Sequence, residues 1–246
     1  LDILSMTFNK HQNLRYGENP HQKAAVYIQP GYDGCSVLTA KFLQGKELSY
    51  NNINDTDGAL ACLKEFDEPA ACIIKHTNPC GAAVGPTLKK AYKDALSCDP
   101  LSAFGSIVGL NKKVDSQTAK EIISADFVEC IIAPGYDESA LLLLKSKKNL
   151  RIMEVPNFGG PKNLKDFDLK KVVGGLLIQD RDLGDFNPSA IKIVTKKKPS
   201  KLELKSLFFA WKIAKHVKSN AIVLCKGTKT VGVGAGQMSR VDSVNI

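Results

Sequence analysis

One stretch, from Ala70 to Ala83, constrains the fold more than any other part of the chain. Its first five residues are small or apolar and carry no charge, which predicts a short buried strand. A cation, an imidazole, a hydroxyl and an amide follow directly at 75–78, and Pro79 and Gly81 are expected to end the regular structure there. Open α/β sheets form their ligand crevices at the carboxyl ends of strands. The sequence therefore predicts an α/β fold with its chemistry at the end of this strand.

The length and composition predict a folded globular protein. The 246 residues are 43% hydrophobic, which is enough for a substantial core. The sequence has no apolar run of about 18 residues and no basic-then-apolar layout at its start, so we expect neither membrane insertion nor secretion, and a cytoplasmic location. The seven cysteines are irregularly spaced, which predicts reduced core residues rather than a disulfide framework.

The net charge of +9 allows a polyanionic partner. The lysine runs at 145–148 and 196–198 lie at expected helix ends and loops, where solvated faces are the usual outcome. The same positive field would suit a small phosphorylated substrate. Because no basic stripe interleaved with aromatic residues is found, nucleic-acid binding is the second interpretation rather than the first.

Strand and helix patterns alternate through the first part of the chain, as they do in α/β proteins. Asp55 directly precedes an apolar helical pattern and is the expected N-cap. The composition shifts to Asn, Gly, Pro and Lys at 156–165, which predicts a boundary between one unit at 1–163 and another at 164–246. The first unit is expected to contain strands at 24–28, 70–74, 107–110 and 130–133, and helices at 55–66, 88–96, 116–124 and 137–147.

The second unit is expected to begin with a strand at 172–178 and to continue with a long helix. Ser200 and Glu203 form the capping-box pattern that starts such a helix near Lys201. Its apolar residues at helical spacing predict a buried stripe formed by Leu204, Leu207, Phe208, Trp211, Ala214 and Val217. A hairpin with strands at 221–226 and from Thr230 follows. The glycines at 232–236 suggest a dinucleotide site only weakly, because a hairpin precedes them instead of a strand-helix-strand unit.

Two polar loops could face a ligand. Arg15 and Tyr16 lie in a loop fixed by Gly and Pro, where a guanidinium and a phenol could hold a phosphate, although an ordinary surface turn explains them as well. Asn52 and its neighbour Asn51 have no capping role once Asp55 is taken as the N-cap. Gly105 could let a planar ligand approach the backbone, and a plain turn is the equal alternative.

The residues at 75–80 leave several chemistries open. General-base work by His76 beside the Lys75 cation is the favoured use, while a buried structural histidine beside a surface lysine is the plain alternative. A zinc site is disfavoured because Cys80 is followed by Gly81 where a second thiolate would be needed. A His76–Cys80 nucleophilic pair has no third partner in view.

These stretches together resemble the formyltransferase portion of one family, the bifunctional purine-biosynthesis enzyme AICAR transformylase/IMP cyclohydrolase. The match covers nearly the whole chain in the correct order. It consists of LRYGENPHQ at 14–22, LSYNN at 48–52, KHTNPCG at 75–81, DPLSAFG at 99–105, IIAPGY at 131–136 and GAGQMSR at 234–240.

The resemblance implies transfer of a formyl group from 10-formyltetrahydrofolate, the cosubstrate, to the 5-amino group of AICAR (phosphoribosylaminoimidazolecarboxamide). It implies that His76 is the general base, that Lys75 stabilises developing charge and that Asn220 orients the substrate. The substrate-binding residues that it implies are Arg15, Tyr16, Asn52, Asn78, Phe104, Gly105, Glu129 and Arg240. A structural potassium ion is expected as well, and no catalytic metal.

The resemblance also implies a pair of cytidine-deaminase-like α/β/α units without zinc, the second incomplete in this chain. Members of the family are expected to be homodimers with shared active sites, and neither nucleic acid nor membrane is expected as a partner. The cyclohydrolase domain and a carboxyl segment of the family have no counterpart in these residues. We therefore expect the sequence to be a fragment of a longer enzyme.

Overall fold

A computed structural model of the chain describes residues 3–159, 167–184 and 187–246. None of the helices in those three ranges is long and apolar enough to cross a membrane. The strands are β1 (Asn9–Leu14), β2 (Ala24–Ile28), β3 (Lys41–Gln44), β4 (Ala70–Lys75), β5 (Asn78–Val84), β6 (Ser106–Leu110), β7 (Val128–Ala133), β8 (Arg151–Glu154), β9 (Phe167–Val172), β10 (Gly175–Asp180), β11 (Ile222–Lys226) and β12 (Lys229–Gly234). The helices are α1 (Tyr50–Leu63), α2 (Leu88–Leu96), α3 (Ser116–Ser124), α4 (Glu138–Lys145), α5 (Lys201–Ala214) and α6 (Arg240–Asn245), with a short 3-10 helix at Pro188–Ala190.

The described residues include one eight-stranded sheet, which organises the molecule. Its strand order is β11-β12-β5-β4-β6-β7-β8-β3. Strands β6, β7 and β8 run parallel to one another, whereas the other neighbouring pairs are antiparallel. Two separate hairpins, β1–β2 and β9–β10, lie outside this sheet. The mixed sheet with helices confirms the predicted α/β class.

Strand β4 shows why the sheet is buried on both faces. Ala70, Cys72 and Ile74 belong to one apolar cluster, which also contains residues of α1 and α5. Ala71 and Ile73, which alternate with them, belong to a second cluster formed with α2, α3 and α4. All five side chains are 1% exposed, so the uncharged run of the sequence fills two cores at once. The helices therefore cover both faces of the sheet and leave its ends for polar residues.

Most of the predicted elements are confirmed. They include the strands at 24–28, 70–74, 107–110 and 130–133, the helices at 88–96, 116–124 and 137–147, and the hairpin from 221. The capping box is confirmed too, since the Ser200 hydroxyl accepts from the Glu203 amide and the Glu203 carboxylate accepts from the Ser200 amide.

The prediction that Pro79 and Gly81 end regular structure is wrong, because both lie within β5. Pro79 pairs with Ile74 of β4, next to the register shift between Ile73 and Ile74. A strand tolerates the missing N–H of proline at such an irregularity. Gly81 is required by close packing, since a Cβ there would lie 2.0 Å from the Ala95 carbonyl oxygen of α2.

The predicted start of the first helix is also wrong. Helix α1 begins at Tyr50, with Ser49 as N-cap and Asn52 as its capping-box partner. The Ser49 hydroxyl accepts from the Asn52 amide, and the Asn52 side-chain oxygen accepts from the Ser49 amide. Asp55 therefore lies one turn inside the helix and has no capping role.

The region after residue 166 differs most from expectation. The strand predicted at 172–178 is a hairpin instead, because the chain reverses between β9 and β10 at Gly174, whose φ is +77°. The predicted buried stripe of α5 is wrong for two of its residues, since Trp211 is 62% exposed and Leu207 is 56% exposed, whereas Val217 is buried as predicted. Phe209 and Ile213 face the sheet. The helix is apolar around much of its circumference, so spacing alone could not identify the buried face.

The predicted boundary between residues 163 and 164 lies outside the described residues. On either side of it, strands from both predicted units join one sheet: the Thr230 hydroxyl of β12 accepts from the Ala82 amide of β5 at 2.9 Å and donates to the Ala82 carbonyl at 3.2 Å. The division into units at 1–163 and 164–246 stays a prediction.

Candidate active site

The centre of the candidate site is the two-residue turn between β4 and β5. Lys75 and Asn78 are paired across the two strands, so His76 and Thr77 alone make the turn. Both have positive φ angles, +50° and +65°, which a tight hairpin of this kind requires at its two central residues. The His76 side chain is exposed, and no hydrogen bond to its imidazole is found within the described residues. A ring in this position is open to a substrate.

The Lys75 ammonium is held by the loop that precedes β6. Its Nζ atom donates to the Phe104 carbonyl oxygen at 2.8 Å and to the Gly105 carbonyl oxygen at 3.1 Å. Gly105 has a φ of +67°, and a Cβ there would lie 3.3 Å from Lys75 Nζ. Glycine is therefore favoured by the backbone conformation, and a larger side chain would also crowd the lysine ammonium slightly. The structure thus brings together three residues that the sequence indicated.

Two aromatic rings line this loop. The Phe104 and Phe127 centroids are 5.5 Å apart with an interplanar angle of 52°, and Phe104 is 59% exposed. Such a pair offers an apolar surface next to the Lys75 ammonium for a flat heterocycle. A neighbouring cavity of about 270 Å³ touches Phe127 but is lined by the carboxyl ends of α3 and α4, without Lys75 or His76. We place the candidate site on the open surface at the turn, because Lys75 and His76 lie there.

The amino end of α1 contacts three candidate segments through three side chains. Asn51 Nδ2 donates to the Glu18 carbonyl oxygen at 3.3 Å, in the loop that carries Arg15. Asn52 Nδ2 donates to Glu129 Oε1 at 3.0 Å. Asp55 Oδ1 accepts from the Thr77 amide at 2.6 Å, directly at the β4–β5 turn. One turn of helix therefore connects parts of the chain that are far apart in sequence.

Asn52 and Glu129 form a polar pair that also involves Arg151. Glu129 Oε1 accepts from Arg151 Nη1 at 3.2 Å, and Arg151 Nε contacts the carbonyl oxygens of Lys46 and Glu47. The Arg151 side chain is only 17% exposed and that of Glu129 is 32% exposed. Both hydrogen bonds found for the Glu129 carboxylate among the described residues go to Oε1, so its second oxygen can accept a hydrogen bond from a ligand.

The segment at 218–220 reaches the turn from the other side. Asn78 Oδ1 accepts from the Lys218 amide at 2.9 Å. Asn220 Nδ2 donates to the carbonyl oxygens of Gln237 and Met238, at 2.9 and 3.1 Å. The Ser243 hydroxyl of α6 donates to the Asn220 carbonyl oxygen at 2.7 Å. The 218–220 segment is therefore linked to the hairpin through the Lys218–Asn78 hydrogen bond, and Asn220 is linked to the segment that carries Arg240.

Arg15 and Arg240 are less firmly held. Arg15 lies in the loop of the β1–β2 hairpin, with its guanidinium carbon 5.9 Å from the centroid of the Tyr16 ring. The loop is closed by hydrogen bonds between Gly17 and Gln22 and between Asn19 and Gln22. Arg240, the first residue of α6, is exposed. Within the described ranges, no hydrogen bond or ion pair joins either arginine to another candidate residue.

Cys80 is not a nucleophile in this arrangement. Burial raises the pKa of its thiol to about 12, so it is protonated at neutral pH, and Sγ donates to the Ile73 carbonyl oxygen at 3.5 Å. Across residues 3–159, 167–184 and 187–246, no group of three or more His, Cys, Asp or Glu side chains could hold a metal ion. All seven cysteines are free thiols.

The chain is similar to known sequences over nearly its whole length. The profile of the family described as AICARFT/IMPCHase bienzyme matches residues 2–246. This chain belongs to the AICARFT/IMPCHase family. The bifunctional purine biosynthesis protein PurH of Magnetococcus marinus is 55% identical over 247 aligned residues, which cover 100% of this chain and 46% of the relative. The chain thus spans about half the length of that relative.

Three residues of the candidate site were missed from the sequence. Asp55 was interpreted as a cap, and neither Arg151 nor Phe127 was considered. A signal for Asp55 was available, because it follows Asn51 by four positions and so shares a face of α1 with it. Arg151 and Phe127 carry no such signal, since their partners Glu129 and Phe104 are brought to them only by the sheet and its loops.

Proposed function

We propose that this chain carries the formyl-transfer site of an AICAR formyltransferase, using 10-formyltetrahydrofolate as cosubstrate. Membership of a family named for that activity supports the proposal. The observation that carries it is the meeting at one turn of the KHTNPCG motif, the Phe104–Gly105 loop, the amino end of α1 and the segment at 218–220. Because the chain covers 46% of the length of its relative, we assign the activity to the whole protein.

The reaction joins a weakly nucleophilic amine to a formyl carbon. As the 5-amino nitrogen of AICAR attacks that carbon, its proton passes to the His76 imidazole. The bond between the formyl carbon and N10 of the folate then breaks, and N10 takes up a proton as it leaves. Exposure of His76 at the tip of the turn supports this role, because a general base must reach the proton that it removes.

Lys75 stabilises the negative charge that develops on the formyl oxygen during the attack. A fixed cation aimed at developing charge is among the strongest contributions to such reactions. The contacts of Lys75 Nζ with two carbonyl oxygens hold the ammonium near the turn, and they leave one of its three donors for the substrate.

The other residues bind the substrates in this proposal. Arg15 and Tyr16 hold the phosphate of the nucleotide, and Arg240 contributes a further charge. Gly105 and Glu129 contact the nucleotide, Asn52 holds Glu129 in place, and Phe104 offers its face to a ring. Asn78 and Asn220 orient the substrate from the side of the 218–220 segment.

We extend the proposal to the finer expectations. The whole protein is a homodimer with shared active sites, it acts in the cytoplasm and binds a structural potassium ion, and neither nucleic acid nor a membrane is its partner. Its fold is a pair of cytidine-deaminase-like units without zinc. None of the candidate residues above is assigned to the potassium ion.

The test is formyl transfer by the full-length protein. Consumption of 10-formyltetrahydrofolate should depend on AICAR, and calorimetric titration should show binding of AICAR. The net charge of +9 makes a phosphate-binding or nucleic-acid-binding module the rival function. No transfer and no AICAR heat, together with oligonucleotide binding that weakens steeply with salt, would favour that rival.

A further inference from the structure

The β4–β5 turn adopts a backbone conformation that its residues do not favour. Hairpin turns with two positive φ angles usually contain Asn and Gly, whereas His76 and Thr77 occupy them here. A positive φ is especially unfavourable for the β-branched Thr77. Such conformations persist only where the surrounding structure holds them in place, and they cluster at functional sites. Some contact must therefore stabilise this turn.

Two hydrogen bonds to the turn are local. The Thr77 hydroxyl and the Asn78 side-chain Nδ2 both donate to the His76 carbonyl oxygen, at 2.6 and 3.1 Å. Both come from the turn or the residue beside it, so they move with it. The loop at 104–105 and the segment at 218–220 contact Lys75 and Asn78 on either side of the turn, whereas the two turn residues themselves receive a 2.6 Å hydrogen bond from outside the hairpin, from the Thr77 amide to Asp55 Oδ1 of α1.

Among the residues that the structure describes, every hydrogen bond found for the Asp55 side chain comes from the turn at 76–77. Ser49 caps α1 with Asn52, so the carboxylate is not needed for the start of the helix. It is half-buried, and partial burial raises the pKa of its carboxyl group. The backbone N–H groups of Thr77 and His76 and the charges of His76 and Lys75 act in the opposite direction. Every group that favours the charged form belongs to the residues at 75–77.

We propose that Asp55 is a positioning residue, whose carboxylate holds the His76–Thr77 turn so that the His76 imidazole stays where it can accept the substrate proton. The proposal rests on the formyl transfer proposed above. It predicts a loss of turnover rather than of nucleotide binding, because Asp55 contacts the turn backbone and not the loops of Arg15 or Arg240. A small misplacement of a catalytic group can lower the rate by about 100-fold.

The experiment compares three variants of the full-length protein with the wild type. Asp55→Ala removes the acceptor of the Thr77 hydrogen bond, and Asp55→Asn keeps a neutral acceptor. Asp57→Ala is the matched control, since Asp57 is an exposed carboxylate on the same helix. We expect Asp55→Ala to lower kcat by about 10- to 100-fold with little change in KM for AICAR. Asp55→Asn should retain an intermediate kcat, and Asp57→Ala should match the wild type.

Hydrogen exchange of the Thr77 amide supplies a readout that does not depend on activity. We expect slow exchange in the wild type and in Asp57→Ala, and fast exchange in Asp55→Ala. If Asp55→Ala fails to fold, Asp55→Asn provides both measurements.

The outcomes separate this proposal from the function on which it rests. A wild type without formyl transfer contradicts the proposed function, and the exchange of Thr77 then decides alone whether Asp55 holds the turn. An active wild type with unchanged kcat in Asp55→Ala overturns the positioning role. A lower kcat with unchanged protection of the Thr77 amide also overturns the positioning role. A rise in KM for AICAR as large as the fall in kcat overturns it as well.

Discussion

The two halves of the candidate site are built in different ways. The turn with Lys75 and His76 is bound on three sides, by α1 through Asp55, by the Phe104–Gly105 loop and by the segment at 218–220. The Arg15–Tyr16 loop belongs to a separate two-stranded hairpin and is joined to α1 by the contact of Asn51 with the Glu18 carbonyl oxygen.

This difference indicates separate roles for the turn and the loop, the first in turnover and the second in binding. Groups that act on the reacting atoms must be held in position before the substrate arrives, and the contacts around the β4–β5 turn provide that support. Groups that hold a phosphate gain their strongest contacts from the ligand itself. We therefore expect changes at the turn to lower turnover and changes in the loop to lower affinity. The predictions below test that separation in the full-length protein.

Replacement of His76, the proposed general base, should have the largest effect. His76→Ala removes the acceptor of the substrate proton, which usually costs about 100- to 10,000-fold in rate. The affinity for AICAR should change little, because the phosphate contacts lie elsewhere. Steady-state kinetics with both substrates measure this. An equal fall in rate and in affinity would show that His76 binds the nucleotide instead of acting on it.

Loss of the lysine should have the next largest effect. In the proposed mechanism Lys75→Ala removes a cation aimed at developing charge, for which a loss of about 100- to 1,000-fold in kcat is typical. Single-turnover measurements of formyl transfer would isolate the chemical step. Retained turnover in Lys75→Ala would mean that its contacts with the Phe104 and Gly105 carbonyl oxygens only stabilise the loop.

The loop should respond in affinity. Arg15→Lys replaces two parallel guanidinium hydrogen bonds with a single point charge, so we expect AICAR to bind about tenfold more weakly. The dephosphorylated riboside is the control, and it should bind the wild type and the variant equally. Calorimetric titration measures both ligands. If the riboside weakens as much as the nucleotide, Arg15 supports the fold and not the phosphate.

A partly buried ionic cluster away from the turn should affect stability alone. Glu65 Oε1 contacts Lys215 Nζ at 2.8 Å and His216 Nε2 at 3.1 Å, which ties the end of α5 to the end of α1. Burial by itself raises the pKa of Glu65, but hydrogen bonds from His216 and Lys215 outweigh it and lower the pKa to about 2. Burial lowers the pKa of His216, and its hydrogen bond with Glu65 reverses this, so that the pKa is raised above 6.5.

The direction of the pH dependence follows from these two shifts. The Glu65 contribution is present above its ordinary pKa of 4.5 and is lost as the pH falls toward 2. The His216 contribution is complete below 6.5 and is lost as the pH rises through the raised pKa. Glu65→Gln should therefore lower the free energy of unfolding by about 1–3 kcal/mol near pH 6 and by less near pH 3. Denaturant titration measures it, with exposed Glu68→Gln as the control. A change in kcat at pH 7 would contradict the separation.

The sheet core was the most predictable part of the fold. Strand β4 and helices α2 and α3 have uniform apolar or amphipathic patterns, and local pattern agrees there with tertiary packing. Helix α5 was less predictable because apolar residues surround it, and only contact with β11 shows that Phe209 and Ile213 face inward. Asp55 was misjudged for a similar reason, since Ser49 offers an equally good cap a few residues earlier.

The candidate site was predictable in its residue types and not in its connections. Lys75, Phe104 and Gly105 were each indicated by a motif, but the contact of the lysine with two carbonyl oxygens depends on how β4 and β6 are aligned. The ion pair of Glu129 with Arg151 could not be predicted from the sequence, because the parallel pairing of β7 and β8 places the two residues side by side. Contacts that span many residues depend on the register of the sheet.

The affinity of the full-length His76→Ala variant for AICAR tests the central claim most directly. We expect calorimetric titration to give a dissociation constant within about threefold of the wild type, a difference below about 1 kcal/mol, while formyl transfer falls by about 100-fold or more. That result would place the imidazole in the chemistry and the phosphate contacts elsewhere. A loss of AICAR affinity as large as the loss of turnover would contradict the separation between the turn and the loop.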